Sequence, residues 1–323
     1  MRTSRWLALL AAIVVIATLA VALGTVQLSL GGVWDALLGE GDPLARTVVR
    51  DLRLPRVALG LLVGAGLGMS GAALQGTMRN ALAEPYLLGV SGGAAVGAVL
   101  ALAAALPFAL VPVAAFAGAL VAVALALAVA RAGGSAGDPR VLLMAGVVVG
   151  AFANAVIMIA LAGDAPNTVH NALWWMMGSV ATATWRDVAW LAAYVLAAGA
   201  LLVAWGRQVD VLALGVENAA ALGLDAERAS RRLYLLAAML AASTVAVAGL
   251  VGFVGLVVPH VARALGAQRH RATIVASAMA GAALVVAADL AARTVRPPAE
   301  LPLGAVTAIV GVPFFLSQLR RIA

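Results

Sequence analysis

The stretch GLVGFVGLVVPHVARA, residues 249–264, decides how many times this chain crosses a membrane. Gly249, Gly252 and Gly255 recur at every third position, and Pro259 follows. Glycine and proline both disfavour a regular helix interior. The stretch is nevertheless apolar up to His260. Irregular backbone at membrane depth is tolerated only where protein or a cavity surrounds it. The reading is therefore an extended segment leading into a short helix near 256–267, closed by the polar run Gln268–Arg271.

The flanking sequence carries the rest of the pattern. Uncharged apolar stretches lie at 6–26, 57–74, 86–106, 108–130, 141–162, 188–205, 233–250, 273–288 and 303–319. Pro107 and Pro112 divide what would otherwise be one run from 86 to 130. Proline suits a first helical turn and breaks an interior, so two helices and a tight turn fit there. The run Trp6–Val26 follows Arg2 and Arg5 and is too long for a signal h-region of ~7–15 residues. It reads as the first membrane helix. With the short helix near 256–267, the fold class is an all-α polytopic membrane protein of about ten transmembrane helices. One of them is short and preceded by an extended Gly-rich segment, and the whole of 1–323 is one transmembrane domain.

Composition agrees. Hydrophobic residues make up 64% of the 323 and charged residues 11%, against ~25% charged in a soluble domain. Mean hydropathy is +1.06. There is no cysteine, which excludes disulfides, thiolate metal sites and cysteine nucleophiles. There is no lysine, which excludes a Walker A ATPase and Schiff-base chemistry. His170, His260 and His270 are too scattered for a metal site, so no metal ligand and no catalytic residue is assigned. The formal charge of +7 belongs to inner loops and not to nucleic-acid binding, since only three Tyr and six Phe are present for base stacking.

Ten crossings put both termini on one side. With both cytoplasmic, fourteen arginines fall inside and seven outside, as the positive-inside rule prefers. The outside set is Arg46, Arg50, Arg53, Arg56, Arg186, Arg293 and Arg296. Two polar loops are long. Residues 27–56 lie outside, and residues 206–232 lie inside, reading GRQVDVLALGVENAAALGLDAERASRR. Gly215 and Gly223 each follow a short aliphatic run, which predicts two short helices. Asp225 is placed to cap the next span.

The apolar stretches hold no Asp, Glu, Arg or His, which argues against a proton-driven mechanism. The stretch GLLVGAGLGMSGAALQG, residues 60–76, places Gly60, Gly64 and Gly68 four apart, and Gly93 and Gly97 repeat the spacing. This GxxxG pattern predicts close helix packing.

Seven fragments then occur in the order of one family. They are LRLPR (52–56), SGAALQGTMRNALAEPYLLGVSGGA (70–94), WWMMGS (174–179), ALGVENAAALGLD (213–225), GLVGFVGLVVPHVAR (249–263), DLAAR (289–293) and ELPLGAVTAIVGVPFF (300–315). In this combination the chain resembles the FecCD/BtuC-type permease subunits of ABC importers for vitamin B12, haem and ferric siderophores. It departs from the family at one turn, where Asn80 is followed by Ala81 instead of proline.

The resemblance implies a homodimer in the bacterial cytoplasmic (inner) membrane with a substrate path along the dimer axis. Two ATP-binding subunits would dock inside and a substrate-binding protein outside. This chain would carry no cofactor, with ATP and Mg on the partner ATPase. The motif matches imply that Arg53, Arg56 and Arg293 meet the binding protein, with local pairing to Asp51 or Asp289 as the competing reading. Asn80, Leu82 and Trp174 are the candidates for the gate and path. Val211, Leu212, Leu214, Gly215, Ala220, Leu222 and Gly223 in the 206–232 coupling loop are the candidates for ATPase contact. Two rival classes are an ion-coupled secondary transporter of a small solute and a membrane-embedded enzyme. The absence of intramembrane acids opposes the first, and the absence of a convergent titratable cluster opposes the second.

Overall fold

A computed structural model describes residues 1–24, 26, 28–133 and 139–319. Arg320 and Arg321, counted above on the inner side, lie outside the described residues. The helices run in chain order as α1 (Thr3–Ala22), α2 (Leu30–Leu38), α3 (Pro43–Thr47), α4 (Leu54–Thr77), α5 (Val90–Ala103), α6 (Val111–Ala132), α7 (Pro139–Leu161), α8 (Pro166–Met176), α9 (Trp185–Ala204), α10 (Gly206–Ala213), α11 (Val216–Ala221), α12 (Ala226–Ala248), α13 (Val254–Ala264), α14 (His270–Thr294) and α15 (Leu303–Leu319). A π-helical turn, Val48–Arg53, joins α3 to α4. A 3-10 turn, Pro85–Leu88, precedes α5. No strand occurs among the described residues.

Among the described residues, seven helices are long and apolar enough to cross a membrane. Three shorter apolar helices accompany them: Val90–Ala103, Val254–Ala264 and Leu303–Ser317. The short helix expected near 256–267 begins at Val254, and α5 begins four residues later than its apolar run.

The core sits around α4. Its apolar window is 78% buried, whereas that of α1 is 17% buried. The glycine spacing explains how α4 is packed so closely. A Cβ added at Gly64 would lie 2.0 Å from the Gly281 carbonyl oxygen of α14, and one at Gly281 would lie 2.1 Å from that of Gly64. Gly68 abuts the Ser277 carbonyl in the same way, at 2.2 Å. Any side chain on this stripe would force the two backbones apart. Gly93 and Gly97 of α5 meet the backbone of α6, their would-be Cβ atoms 2.4 Å from Gly118 O and 2.1 Å from Ala114 O. Ser70 adds a buried hydrogen bond, its Oγ donating to Ala237 O of α12 at 2.7 Å.

Several helix ends meet at one level. Ser179 N donates to Ala248 O (2.8 Å), Leu303 N to Gly178 O (3.1 Å) and Gly304 N to Met177 O (3.0 Å). The ends of α8 and α12 and the start of α15 are thereby tied together, and the chain ends of these helices satisfy one another.

Candidate coupling loop, gate turn and outer charge cluster

At one end of the molecule α10 packs one face against α4 and α14, and α11 follows it. α10 buries Val209 and Leu212, three residues apart on one face. Gly215 separates the two helices at φ 108° and Gly223 ends α11 at φ 78°, both in the left-handed region open to glycine. A Cβ at Gly223 would meet nothing within 4 Å, so the backbone angle and not crowding calls for glycine there. Asn218 Nδ2 donates to Leu214 O at 2.8 Å and steadies the turn. Asp225 accepts from Arg228 N at 3.0 Å and caps α12.

The loop leaves an apolar surface uncovered. Leu214, Val216 and Leu222 are 59%, 53% and 64% exposed. Ala220 and Gly223 are also exposed, while Val211 and Gly215 are half-buried. Leu212 is a correction: it is 3% exposed and turns into the core, because its place on the inner face of α10 opposes that of Leu214. Val216 was missed because the chain reverses at Gly215 and restarts the helical register.

This loop is wired to the bundle by polar contacts. Asp210 Oδ1 accepts from His270 N at 2.9 Å and lies 2.7 Å from His270 Nδ1. A carboxylate from α10 thus sits on the first turn of α14, where it also complements the helix dipole. The His270 ring in turn packs at the end of α4, within 2.6 Å of where a Gly76 Cβ would be. Arg79 follows α4 at φ 49°, with its Nη1 3.4 Å from a Cβ built on Gly215.

Asn80 and Leu82 occupy the turn beyond Arg79. Asn80 Oδ1 accepts from Leu82 N at 2.9 Å, an Asx turn that does the local work expected of proline at the next position. Leu82 is 47% exposed. The same turn leads to a cluster invisible in the spacing. Glu84 accepts from Phe253 N at 2.8 Å, and the Tyr86 hydroxyl accepts from Val251 N at 2.6 Å. Gln75 Nε2 donates to Gly255 O (3.3 Å) and Leu256 O (3.1 Å), and Gln75 Oε1 accepts from Arg263 Nη2 (2.7 Å). The non-helical residues between α12 and α13 are therefore held by side chains from the α4–α5 connection. A lone Gln in the Gly-rich span was the available signal. Trp174 lies elsewhere, on α8, 44% exposed and edge-on to His170 at 6.0 Å. His260 Nδ1 lies 2.9 Å from Leu256 O within α13.

At the opposite end, the start of α4 meets the end of α14. Arg56 makes a two-carboxylate clamp, reaching Asp289 and Glu300 at 2.8 Å each. All three of its nitrogens carry hydrogen bonds to those acids. The Arg56 guanidinium holds the Glu300 carboxyl below the usual carboxylate range. Arg53 and Arg293 are corrections to the expected docking face. They are 5% and 6% exposed. Arg53 Nη1 donates to Val21 O (2.7 Å) and Ala22 O (2.8 Å), and Nη2 to Val26 O. Arg293 Nη2 donates to Ala20 O, and its Nε lies 3.7 Å from Asp289. Two arginines from separate helices thus cap the last turn of α1, whose carbonyls have no intrahelical donors. The π-turn before α4 aims Arg53 inward, which no residue count along LRLPR reports.

The description of the FecCD transport family matches residues 10–321. The cobalamin import system permease protein BtuC of Halobacterium salinarum is 41% identical over 279 residues, 85% of this chain and 74% of that one. The hemin transport system permease protein HmuU of Yersinia pestis is 35% identical over 321 residues, 97% of this chain and 94% of that one. Among solved structures, an inward-facing metal-chelate type ABC transporter superposes with a TM-score of 0.88 at 26% identity, covering 98% of both chains.

Proposed function

Because this chain belongs to the FecCD transport family, we propose that it is the membrane permease subunit of an ATP-driven importer for cobalamin, haem or a ferric chelate. The reading includes ten crossings, made by the seven long helices and the three shorter apolar ones. It includes one domain over 1–323, a homodimer, both termini in the cytoplasm and a bacterial inner-membrane location. ATP and Mg belong to two partner ATPase chains, and this chain makes or breaks no covalent bond.

The observation that carries the mechanism is the apolar surface of Leu214, Val216 and Leu222 on a loop tied to the starts and ends of core helices. Such a patch on a polar loop is suited to a protein partner. We assign ATPase contact to Leu214, Val216, Ala220, Leu222 and Gly223, with Val211 and Gly215 beneath them. Movement of the loop would reach α14 through Asp210 and His270, and the Asn80–Leu82 gate turn through Arg79 beside Gly215. The rearranged helices would then expose the path alternately to either side. Trp174 is retained as a path residue on the exposed end of α8.

For the binding protein, Arg56 is the docking residue of this reading, acting through exchange of the half-exposed Glu300 for a partner carboxylate. Arg53 and Arg293 support that face by fixing α1 behind it. The test is native mass spectrometry of the complex drawn gently from its own membranes. Two copies of this chain with two P-loop ATPases support the proposal; a lone chain or bare dimer in several mild detergents overturns it and returns weight to a secondary transporter.

A further inference from the structure

One apolar groove is unconnected with the coupling loop and the gate turn. It has a volume of 570 Å³ and lies between α1, α2, α4 and the first residue of α9. The three long helices meet there at one level, the last turns of α1, the first turns of α4 and Trp185 at the start of α9, with α2 lying across them. The groove is therefore at one edge of the membrane-crossing bundle. Trp34 and Trp185 line it and are 63% and 52% exposed, the residues that favour the level of lipid headgroups.

Two arginines stand at its rim. Arg50 is bracketed by two groove residues: its Nη2 donates to Leu37 O at 2.5 Å, and its backbone oxygen accepts from Trp185 Nε1 at 3.1 Å. The Arg50 side chain is exposed, and its other N–H donors have no partner among the described residues. Arg46 stands beside it, with Nη1 on Gly39 O at 3.0 Å and a buried Nε that makes no hydrogen bond. No carboxylate among the described residues pairs with either arginine, although Asp35, Glu40, Asp42 and Asp51 are near in sequence. An apolar trough ending at open guanidinium donors matches a molecule with a hydrocarbon tail and an anionic oxygen at its head.

We propose that this groove is a phospholipid site, with one acyl chain along α1 and α4 and the phosphate on Arg50. The inference needs only that the chain spans a bilayer, and stands whatever the cargo is. A lipid held there would fill the gap between α1, the least buried long helix, and the core.

The test uses the full purified chain, delipidated and then titrated with phosphatidylglycerol, with bound lipids counted by native mass spectrometry. The wild type is expected to keep one lipid per chain more than Ala58→Trp, which fills the groove. Thr18→Trp fills it from the exposed side of α1 and serves if the first variant misfolds. Arg50→Gln keeps a donor for Leu37 O and removes the charge. It is expected to weaken phosphatidylglycerol about tenfold, while leaving diacylglycerol of the same chains unchanged. Inorganic phosphate at millimolar concentration should not displace the lipid. Equal lipid counts in wild type and a folded groove-filling variant overturn the proposal. So does an Arg50→Gln titration that matches wild type, or displacement by inorganic phosphate, which would reduce the site to an anion contact.

Discussion

The two ends of this molecule treat their reactive surface in opposite ways. Around the start of α4, three arginines are committed internally: Arg53 to the end of α1, Arg56 to Asp289 and Glu300, and Arg293 through Nη2 to Ala20 O. At the α10–α11 end, leucine and valine side chains are left uncovered on a polar loop. A residue type therefore does not announce an interface. An arginine whose hydrogen bonds are complete reaches a partner only by giving one of them up, as proposed for Arg56 and Glu300, whereas a leucine without neighbours is free to be covered.

The sharpest way to break this contrast is Arg56→Ala. It leaves Asp289, 5% exposed, with only the longer 3.7 Å contact to Arg293 Nε, and breaking a buried pair costs about 3–5 kcal/mol. Thermal unfolding in detergent should fall accordingly; an unchanged midpoint would mean that the clamp is open in the membrane. Next, Arg53→Met removes the cap on α1 and keeps the apolar stem. A loss of about 2 kcal/mol is expected, with protease sensitivity concentrated before residue 30. Leu214→Asp with Leu222→Asp should leave the unfolding midpoint within about 0.5 kcal/mol of wild type. ATPase association should nevertheless fall more than about tenfold, about 1.4 kcal/mol. A fall in stability instead would show that these side chains are covered.

Smaller still, Asp210→Ala removes a cap worth about 1 kcal/mol, and the expected signature is ATP hydrolysis that persists while transport drops. Asp210→Asn, which can still accept from His270 N, should restore part of the transport. The smallest effect is at Glu300, which is 40% exposed. Glu300→Gln should cost within about 1 kcal/mol. The sign follows from its depressed pKa: the pair's contribution is complete above the ordinary glutamate range and is lost as pH falls through the lower folded value. Wild type and Glu300→Gln midpoints should therefore differ at neutral pH and converge only in strong acid.

Much of the fold was legible because a bilayer constrains a chain one stretch at a time. Apolar length, Pro107 between α5 and α6 with Pro112 in the first turn of α6, and the GxxxG spacing on α4 each report on a local property. The two short helices of 206–232 were legible for the same reason, since Gly215 and Gly223 mark their ends. The candidate site was less so. The sequence placed the loop, and helical spacing could have set Leu212 apart from Leu214, but nothing local told which of them faces inward.

What the sequence determined by itself is an all-helical membrane chain, its family, and the segments that carry its polar business. What only the tertiary structure decided is which polar groups are already satisfied. Arg53 meets a carbonyl 32 residues away, Asp210 meets a histidine 60 away, and Glu84 meets an amide 169 away. In a low-dielectric interior each such group must find a partner, and the identity of that partner depends on how the helices pack.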